Sequence, residues 1–396
     1  MVHSFDNHIA LVAQLDRVLD FGSRGCRFES CQAHERKHEN FISCFLFPGA
    51  IIKFSITSIV KNMKILFFET KKESQAFFED KLSEHETIFF KETVQEANIK
   101  EDDLSAEVLS VFIYSQLTKD VLAKFKNLKI IATRSTGFDH IDIKECQERG
   151  ISVLNVPFYG ENTVAEHTFA LILSLSRNVH KSYLRGKRND FSITGLQGFD
   201  LRGKTLGVVG VGHIGKHIIK IAKGFGMKVI AFDKFRDEML AEVLNFEYTN
   251  ELDDLLGSSD IVSLSLPLNK KTQHLMNEER FSKMKKGAIL INTSRGGLVD
   301  TEALYKALSE NRIAGAGLDV IEGEESIQEE KELLSSERNS EKLREVFRDK
   351  AIFEMENVVF TPHNAFNSAE AIERIFSTTV ENIKGFEAGK QKNVIS

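Results

Sequence analysis

Val208-Val209-Gly210-Val211-Gly212-His213-Ile214-Gly215 is the stretch on which the fold turns. Thr205 to Val209 reads as a strand running into it, and residues 216 to 223 read as a helix running out. A G-x-G-x-x-G spacing between strand and helix suits a dinucleotide. Gly210 makes the tight turn, Gly212 lets backbone approach a pyrophosphate, and Gly215 lets helix pack on strand. The anion then sits at a helix N-terminus, where unpaired N–H groups point outward. The next strand, Lys228 to Phe232, ends at Asp233, whose carboxylate can accept from the ribose hydroxyls of NAD and repel a 2′-phosphate. Lys234 and Arg236 beside it leave NADP open as a second cofactor. His213 lies inside the turn, where its backbone is better placed than its ring, so it is assigned a cofactor contact and not a catalytic role.

Working outward, short β-branched or aromatic runs alternate with amphipathic stretches on both sides. Residues 63 to 69, 87 to 91, 108 to 115, 129 to 134 and 151 to 156 read as strands, with charged helical stretches at 71 to 84 and 118 to 127. A second series follows at 205 to 209, 228 to 232, 261 to 266, 288 to 292, 315 to 320 and 358 to 361. Such alternation predicts parallel sheets with helices on their faces, here two α/β units in one chain. Between them, Thr163 to Arg177 is apolar around most of its circumference, which predicts a helix buried nearly all round, between domains or subunits. The charge-dense segment 322 to 350 reads as a solvated helical excursion.

Composition agrees with a folded two-domain chain. Of 396 residues 42% are apolar and 28% charged, which excludes collagen-like and wholly disordered classes. A net charge of -6 offers no general attraction for nucleic acid or anionic membranes. Four cysteines cannot staple a chain of this size, so a reducing, cytoplasmic setting is expected. The four prolines are few, and Pro157, Pro267 and Pro362 each follow a predicted strand.

Residues 1 to 62 look foreign to the rest and show no sustained periodicity. The apolar run Phe41 to Val60 is long enough for a bilayer, but Pro48 and Lys53 make a spanning helix costly. Cys26, Cys31, His34 and His38 supply zinc-ligand types, yet Cys31 and His34 are too close for a finger, and no metal is expected. Gln14-Leu15-Asp16-Arg17, Arg27-Phe28-Glu29-Ser30 and Ala33-His34 resemble the peptide made when the strand opposite a bacterial tRNA gene is translated. That resemblance implies a non-native or disordered leader at 1–62 and a true start at Met63.

In open α/β sheets ligands lie beyond the carboxyl ends of the strands. There the chain places Pro267, then Thr293-Ser294-Arg295-Gly296-Gly297, then Asp319 with Glu322 and Glu324, then Pro362-His363. Arg, Glu and His therefore converge on one edge. Arg295 offers a planar fork of donors for a carboxylate and a keto oxygen. His363 is the candidate whose ordinary pKa of about 6.5 allows both protonation states near neutrality. A glutamate paired with it would favour the imidazolium. Cys146 has no local base pattern, and His167 and His140 read as structural.

The blocks Arg134-Ser135-Thr136-Gly137-Phe138-Asp139, Asn155-Val156-Pro157, Val164-Ala165-Glu166-His167, the glycine turn, Leu266-Pro267-Leu268, Asn292-Thr293-Ser294-Arg295-Gly296, Gly317-Leu318-Asp319-Val320 and Pro362-His363-Asn364-Ala365-Phe366 resemble, in order, the D-isomer-specific 2-hydroxyacid dehydrogenase family. Tyr159, Phe366 and the charged excursion resemble its D-lactate dehydrogenase branch. The resemblance implies a flavodoxin-like substrate domain, discontinuous over 63–161 and 363–396, and a Rossmann NAD-binding domain at 162–362. It implies Arg295, His363 and Glu324 as the catalytic set, Glu324 chosen over Glu322 and Glu325 because its offset from Asp319 matches the family pattern. Thr136, Gly137, Tyr159, Arg295 and Phe366 become substrate contacts. Cofactor contacts become Gly210, Gly212, His213, Ile214, Gly215, Asp233, Leu266, Pro267, Thr272, Thr293, Ser294 and Asp319, the last on the nicotinamide side. The implied reaction is NADH-dependent reduction of pyruvate to D-lactate by a homodimer. Glyoxylate, hydroxypyruvate and 2-ketoisocaproate stay open as substrates, as does an NADH-sensing corepressor-like binding role.

Overall fold

The computed structural model describes residues 62–323 and 350–395 and, ahead of them, the strand residues 42–47 and 50–55. The Cys26, Cys31, His34 and His38 set, Glu324, Glu325 and most of the charged excursion lie outside the described residues. Where the sequence showed no periodicity, strands β1 (Ile42–Phe47) and β2 (Ala50–Ser55) pair antiparallel, Ile42 opposite Ser55 and Phe47 opposite Ala50. Dense β-branched and aromatic content is enough for a ladder there without strict alternation.

From residue 62 onward two parallel sheets form. One contains β3 (Lys64–Phe67), β4 (Glu86–Phe89), β5 (Val108–Val111), β6 (Ile130–Thr133) and β7 (Ser152–Leu154), in the order β4-β3-β5-β6-β7. The other contains β8 (Thr205–Val209), β9 (Lys228–Phe232), β10 (Glu247–Tyr248), β11 (Ile261–Leu264), β12 (Ile289–Asn292), β13 (Gly315–Leu318) and β14 (Val358–Phe360), in the order β10-β9-β8-β11-β12-β13-β14. The first order is that of flavodoxin-like sheets and the second contains the Rossmann arrangement. Central strands β5, β6, β11, β12 and β13 are buried at every position, as a parallel sheet covered on both faces requires. This is the predicted fold class, two doubly wound α/β units.

The C-terminal helix, Ala369–Glu387, returns to the five-stranded sheet. Its Val380 and Ile383 share a core with Ile65, Phe67, Phe78 and Ile130. Asn382 Nδ2 donates to Asn155 O at 2.8 Å, and Ile395 N donates to Val153 O at 2.8 Å. The Glu161–Ser176 helix packs on β12, β13 and β14 and on the His213–Gly224 helix. It buries Val164, Ala165, Phe169, Leu171, Ile172 and Leu175 but leaves Glu166 and Ala170 exposed, so burial is one-sided and not all round.

Several predicted strands run shorter than their apolar stretches. The stretch 108 to 115 ends as a strand at Val111, because the Glu69 carboxylate accepts from Phe112 N and Tyr114 N, both at 2.9 Å, and draws the chain off the sheet. Glu69 has a left-handed φ of 51°, strain that its two backbone partners offset.

Candidate active site

The carboxyl ends of both sheets face one cleft. In the glycine turn, Gly210 has a φ of 99°, and a Cβ there would strike Ser265 O. A Cβ on Gly215 would strike Gly210 O, whereas one on Gly212 would meet nothing within 4 Å. Gly210 and Gly215 are thus required by packing, and Gly212 borders open space at the start of the His213–Gly224 helix. The first bond of that helix runs from Lys216 N to Gly212 O at 3.1 Å, which leaves the N–H groups of His213, Ile214 and Gly215 pointing out of the helix. This cradle fits the pyrophosphate of a dinucleotide. Asp233 closes it from below. Its Oδ2 accepts from Val211 N at 2.6 Å and its Oδ1 from Phe235 N at 2.8 Å, so it shapes the turn. The His213 ring packs edge-on against Phe158, centroids 4.9 Å apart, with Nδ1 3.6 Å from Glu161 Oε1.

Beyond β11, Leu266 and Pro267 are followed by a turn in which Thr272 Oγ1 donates to Pro267 O at 2.7 Å. Beyond β12, Ser294 Oγ donates to Leu264 O at 2.9 Å. The Thr293 hydroxyl is buried against Thr168 Oγ1 at 2.9 Å, which turns it toward the Glu161–Ser176 helix. Arg295 reaches across to the other sheet. Its Nε donates to Asp139 Oδ2 at 2.9 Å and its Nη1 to Ser294 O at 2.8 Å, while its Nη2 lies against Gly137, where any Cβ would collide with it. Thr136 is held beside it, accepting through its carbonyl from Asn155 Nδ2 at 2.9 Å and donating through Oγ1 to Val156 O at 2.8 Å. Burial pushes the Tyr159 phenol up, against the opposing effects of Arg295 and of a hydrogen bond with Thr136.

Asp319, expected on the nicotinamide side, is occupied by the chain itself. Its carboxylate is 1% exposed, and its oxygens accept from Asn364 N and Ala365 N, each at 2.9 Å, and from Thr361 Oγ1 at 2.5 Å. The loop that carries His363 therefore takes these oxygens. His363 itself has a left-handed φ of 47°, and its N–H donates to Asp319 O at 2.8 Å. Glu322, the rival to Glu324, places Oε1 2.5 Å from His274 Nε2 and Oε2 3.4 Å from Thr301 Oγ1, which gives it partners away from His363.

Two cavities meet at His363. One of about 280 Å³ is lined by Arg295 and His363 together with Asp139, His140, Tyr114 and Glu322. The other, of about 700 Å³, is lined by His363, Phe112, Tyr114, Phe366, Ile372 and Phe376 among others. Arg295, Gly137, Phe366 and His363 are thus brought together from three separate parts of the chain. Asp139, His140 and the 112–114 loop were missed as site residues, although Asp139 stands inside a quoted block. No local pattern marks the other two. Burial holds the His140 imidazole down to about 4, so it is neutral beside Arg295. Arg134, in the same block, is fully buried and donates to Ser110 O and Phe68 O. Burial lowers it to about 10, still charged at neutral pH.

A dinucleotide cradle at one sheet's switch point, facing an arginine and a histidine in a small polar cavity, defines a nicotinamide-dependent oxidoreductase. Residues 169–365 match the family of the D-isomer specific 2-hydroxyacid dehydrogenase, NAD binding domain. The chain is 36% identical over 333 residues to a 2-hydroxyacid dehydrogenase homolog of Haemophilus influenzae, covering 83% of this chain and 97% of that protein. It is 35% identical over 333 residues to D-lactate dehydrogenase of Escherichia coli, covering 83% and 98%. Among solved structures, D-lactate dehydrogenase from Aquifex aeolicus complexed with NAD and lactic acid superposes with a TM-score of 0.75 at 39% identity, covering 82% of this chain and 96% of that one. The chain belongs to the D-isomer specific 2-hydroxyacid dehydrogenase family and is an NAD-dependent oxidoreductase.

Proposed function

We propose that the protein reduces pyruvate to D-lactate with NADH, reversibly. The observation that carries this is the cavity of about 280 Å³ lined by both Arg295 and His363, at the small end of ligand-pocket sizes and suited to a three-carbon acid. Bound NADH supplies the hydride. Arg295, steered by Asp139 and seated against Gly137, presents its fork to the substrate carboxylate and polarises the keto oxygen, with the Thr136 and Gly137 backbone on the carboxylate's other side. His363 gives a proton to the oxygen as charge develops there, so that one hydride and one proton convert ketone to alcohol. Glu324 is the residue assigned to keep that imidazole protonated. Gly210, Gly212, His213, Ile214 and Gly215 hold the pyrophosphate and Asp233 the ribose, with Leu266, Pro267, Thr272, Thr293 and Ser294 walling the nucleotide. Asp319 serves the site through the His363 loop. Residues 63–161 with 363–396 act as the substrate domain and 162–362 as the cofactor domain.

A second reading is favoured by the larger cavity, whose Phe112, Phe366, Ile372 and Phe376 would welcome a longer side chain such as that of 2-ketoisocaproate. NADH oxidation across pyruvate, glyoxylate, hydroxypyruvate and 2-ketoisocaproate separates the readings. The highest kcat/KM with pyruvate is expected, a preference for 2-ketoisocaproate installs the second reading, and tight NADH binding without turnover on any of them overturns both. No helix among the described residues is long and apolar enough to cross a membrane. A cytoplasmic homodimer is part of the proposal, supported by Tyr183, Leu184, Phe191 and Ile193, each more than half exposed around one helix and the loop after it.

A further inference from the structure

We propose that His167, on the Glu161–Ser176 helix, is a positioning residue for the proton donor, holding the Asp319 carboxylate around which the His363 loop is folded. The inference rests on the reading of His363 as that donor. A left-handed histidine is strained and persists only where its surroundings over-determine it. Here Asp319 supplies much of that hold: its carbonyl accepts from His363 N, which also donates to Thr361 O at 2.9 Å, and its two carboxylate oxygens accept from Asn364 N and Ala365 N. Three successive backbone donors thus converge on one residue. The position of the imidazole depends on that carboxylate staying where it is.

What fixes the carboxylate is a short relay. Thr361 Oγ1 donates its single proton to Asp319 Oδ1. His167 Nε2 lies 2.9 Å from the same hydroxyl and 3.3 Å from Asp319 Oδ1. Because the threonine proton is committed to the carboxylate, its oxygen must accept from His167, so Nε2 carries a hydrogen. Among the described residues in contact with this buried carboxylate, His167 is the one side chain able to bear positive charge. The helix carrying it is packed on β13 and β14, the two strands whose ends bear Asp319 and His363. His167 therefore ties the loop to a rigid element from behind, out of reach of substrate.

The test compares His167→Ala, His167→Gln and Thr361→Val with His363→Ala, measuring kcat, KM for pyruvate, NADH affinity by fluorescence, and the primary isotope effect with deuterated NADH. His167→Ala should lower kcat roughly ten- to a hundred-fold, the scale of a lost hydrogen bond to a charged group or a small misplacement of a reacting group. KM and NADH affinity should stay within about twofold and the isotope effect should rise, a split that general loosening of the fold would not produce. Glutamine, whose amide N–H can stand near Nε2, should restore kcat to within about threefold of the parent. Thr361→Val cuts the relay with little change of volume and carries the same expectation if the alanine variant does not fold. Turnover of His167→Ala, or of Thr361→Val, within twofold of the parent while His363→Ala loses turnover overturns the proposal and leaves the donor reading intact. Glutamine no better than alanine also overturns it. Full turnover by His363→Ala instead removes the donor reading on which it rests.

Discussion

Gly137→Ala separates function from stability at the substrate clamp. Gly137 is not among the left-handed glycines, so alanine suits its backbone, and by reducing the freedom of the unfolded chain it should leave stability unchanged or raise it by about 0.4–1 kcal/mol. The new methyl group would occupy the place of Arg295 Nη2, the far end of a flexible side chain held by Asp139 and the Ser294 carbonyl. The guanidinium must swing away, and the fork loses at least one charged hydrogen bond to the substrate carboxylate, worth about 1.5–3 kcal/mol. At about 1.4 kcal/mol per factor of ten, kcat/KM for pyruvate should fall roughly ten- to 150-fold. NADH affinity by fluorescence should not change, because the Gly212 cradle belongs to the other sheet. Thermal unfolding and steady-state kinetics on the same preparation decide it. Parent-like kcat/KM in a folded Gly137→Ala enzyme would refute the seating of Arg295 on Gly137 as the substrate clamp.

Loss of the proton donor in His363→Ala should lower turnover roughly 10²- to 10⁴-fold with NADH binding nearly intact, and turnover within threefold of the parent would remove the assignment. Arg295→Lys keeps the charge but not the planar fork, so kcat/KM for pyruvate should still fall about tenfold or more, and an unchanged value would show that charge alone suffices. Asp233→Ser should weaken NADH binding and erode discrimination against NADPH together, since the carboxylate anchors Val211 N and is the proposed ribose partner; unchanged discrimination would free Asp233 of that role. His140 is held neutral down to about 4 against an ordinary 6.5, so between these values the unfolded chain takes up a proton that the folded protein refuses. Stability is complete above pH 6.5 and falls by about 3 kcal/mol as pH drops through 4. His140→Asn should flatten the fall of Tm over that window, and an identical slope in both proteins would contradict the burial argument.

The chain's own order of residues determined much of this. G-x-G-x-x-G between strand and helix can hardly be satisfied by another local structure, because Gly210 and Gly215 approach backbone too closely for any Cβ. Alternating strands and helices likewise predicted parallel sheets, and the rule that ligands lie beyond strand ends singled out Arg295 and His363, which line one cavity in the fold. Local pattern carried such features because each depends on neighbours a few residues away. Strand ends were less legible: the apolar run 108 to 115 gives no hint that Glu69, from the loop after β3, captures Phe112 and Tyr114.

Tertiary structure alone decided what each polar residue faces. Asp319 and Asp233 look alike in sequence, each an aspartate closing a strand, yet one is sealed around a loop's N–H groups and the other stands at the edge of the cofactor cradle. His167, His140 and His363 likewise differ in sequence only by context. One backs the Asp319 loop, one is held neutral by burial, and one lines both cavities beside Arg295. Those distinctions arise from hydrogen bonds and desolvation between segments as far apart as Gly137 and Arg295, or His167 and Thr361. Sequence periodicity reports only which face of an element is apolar; the partner across the cleft is set when the two sheets bring their carboxyl ends together.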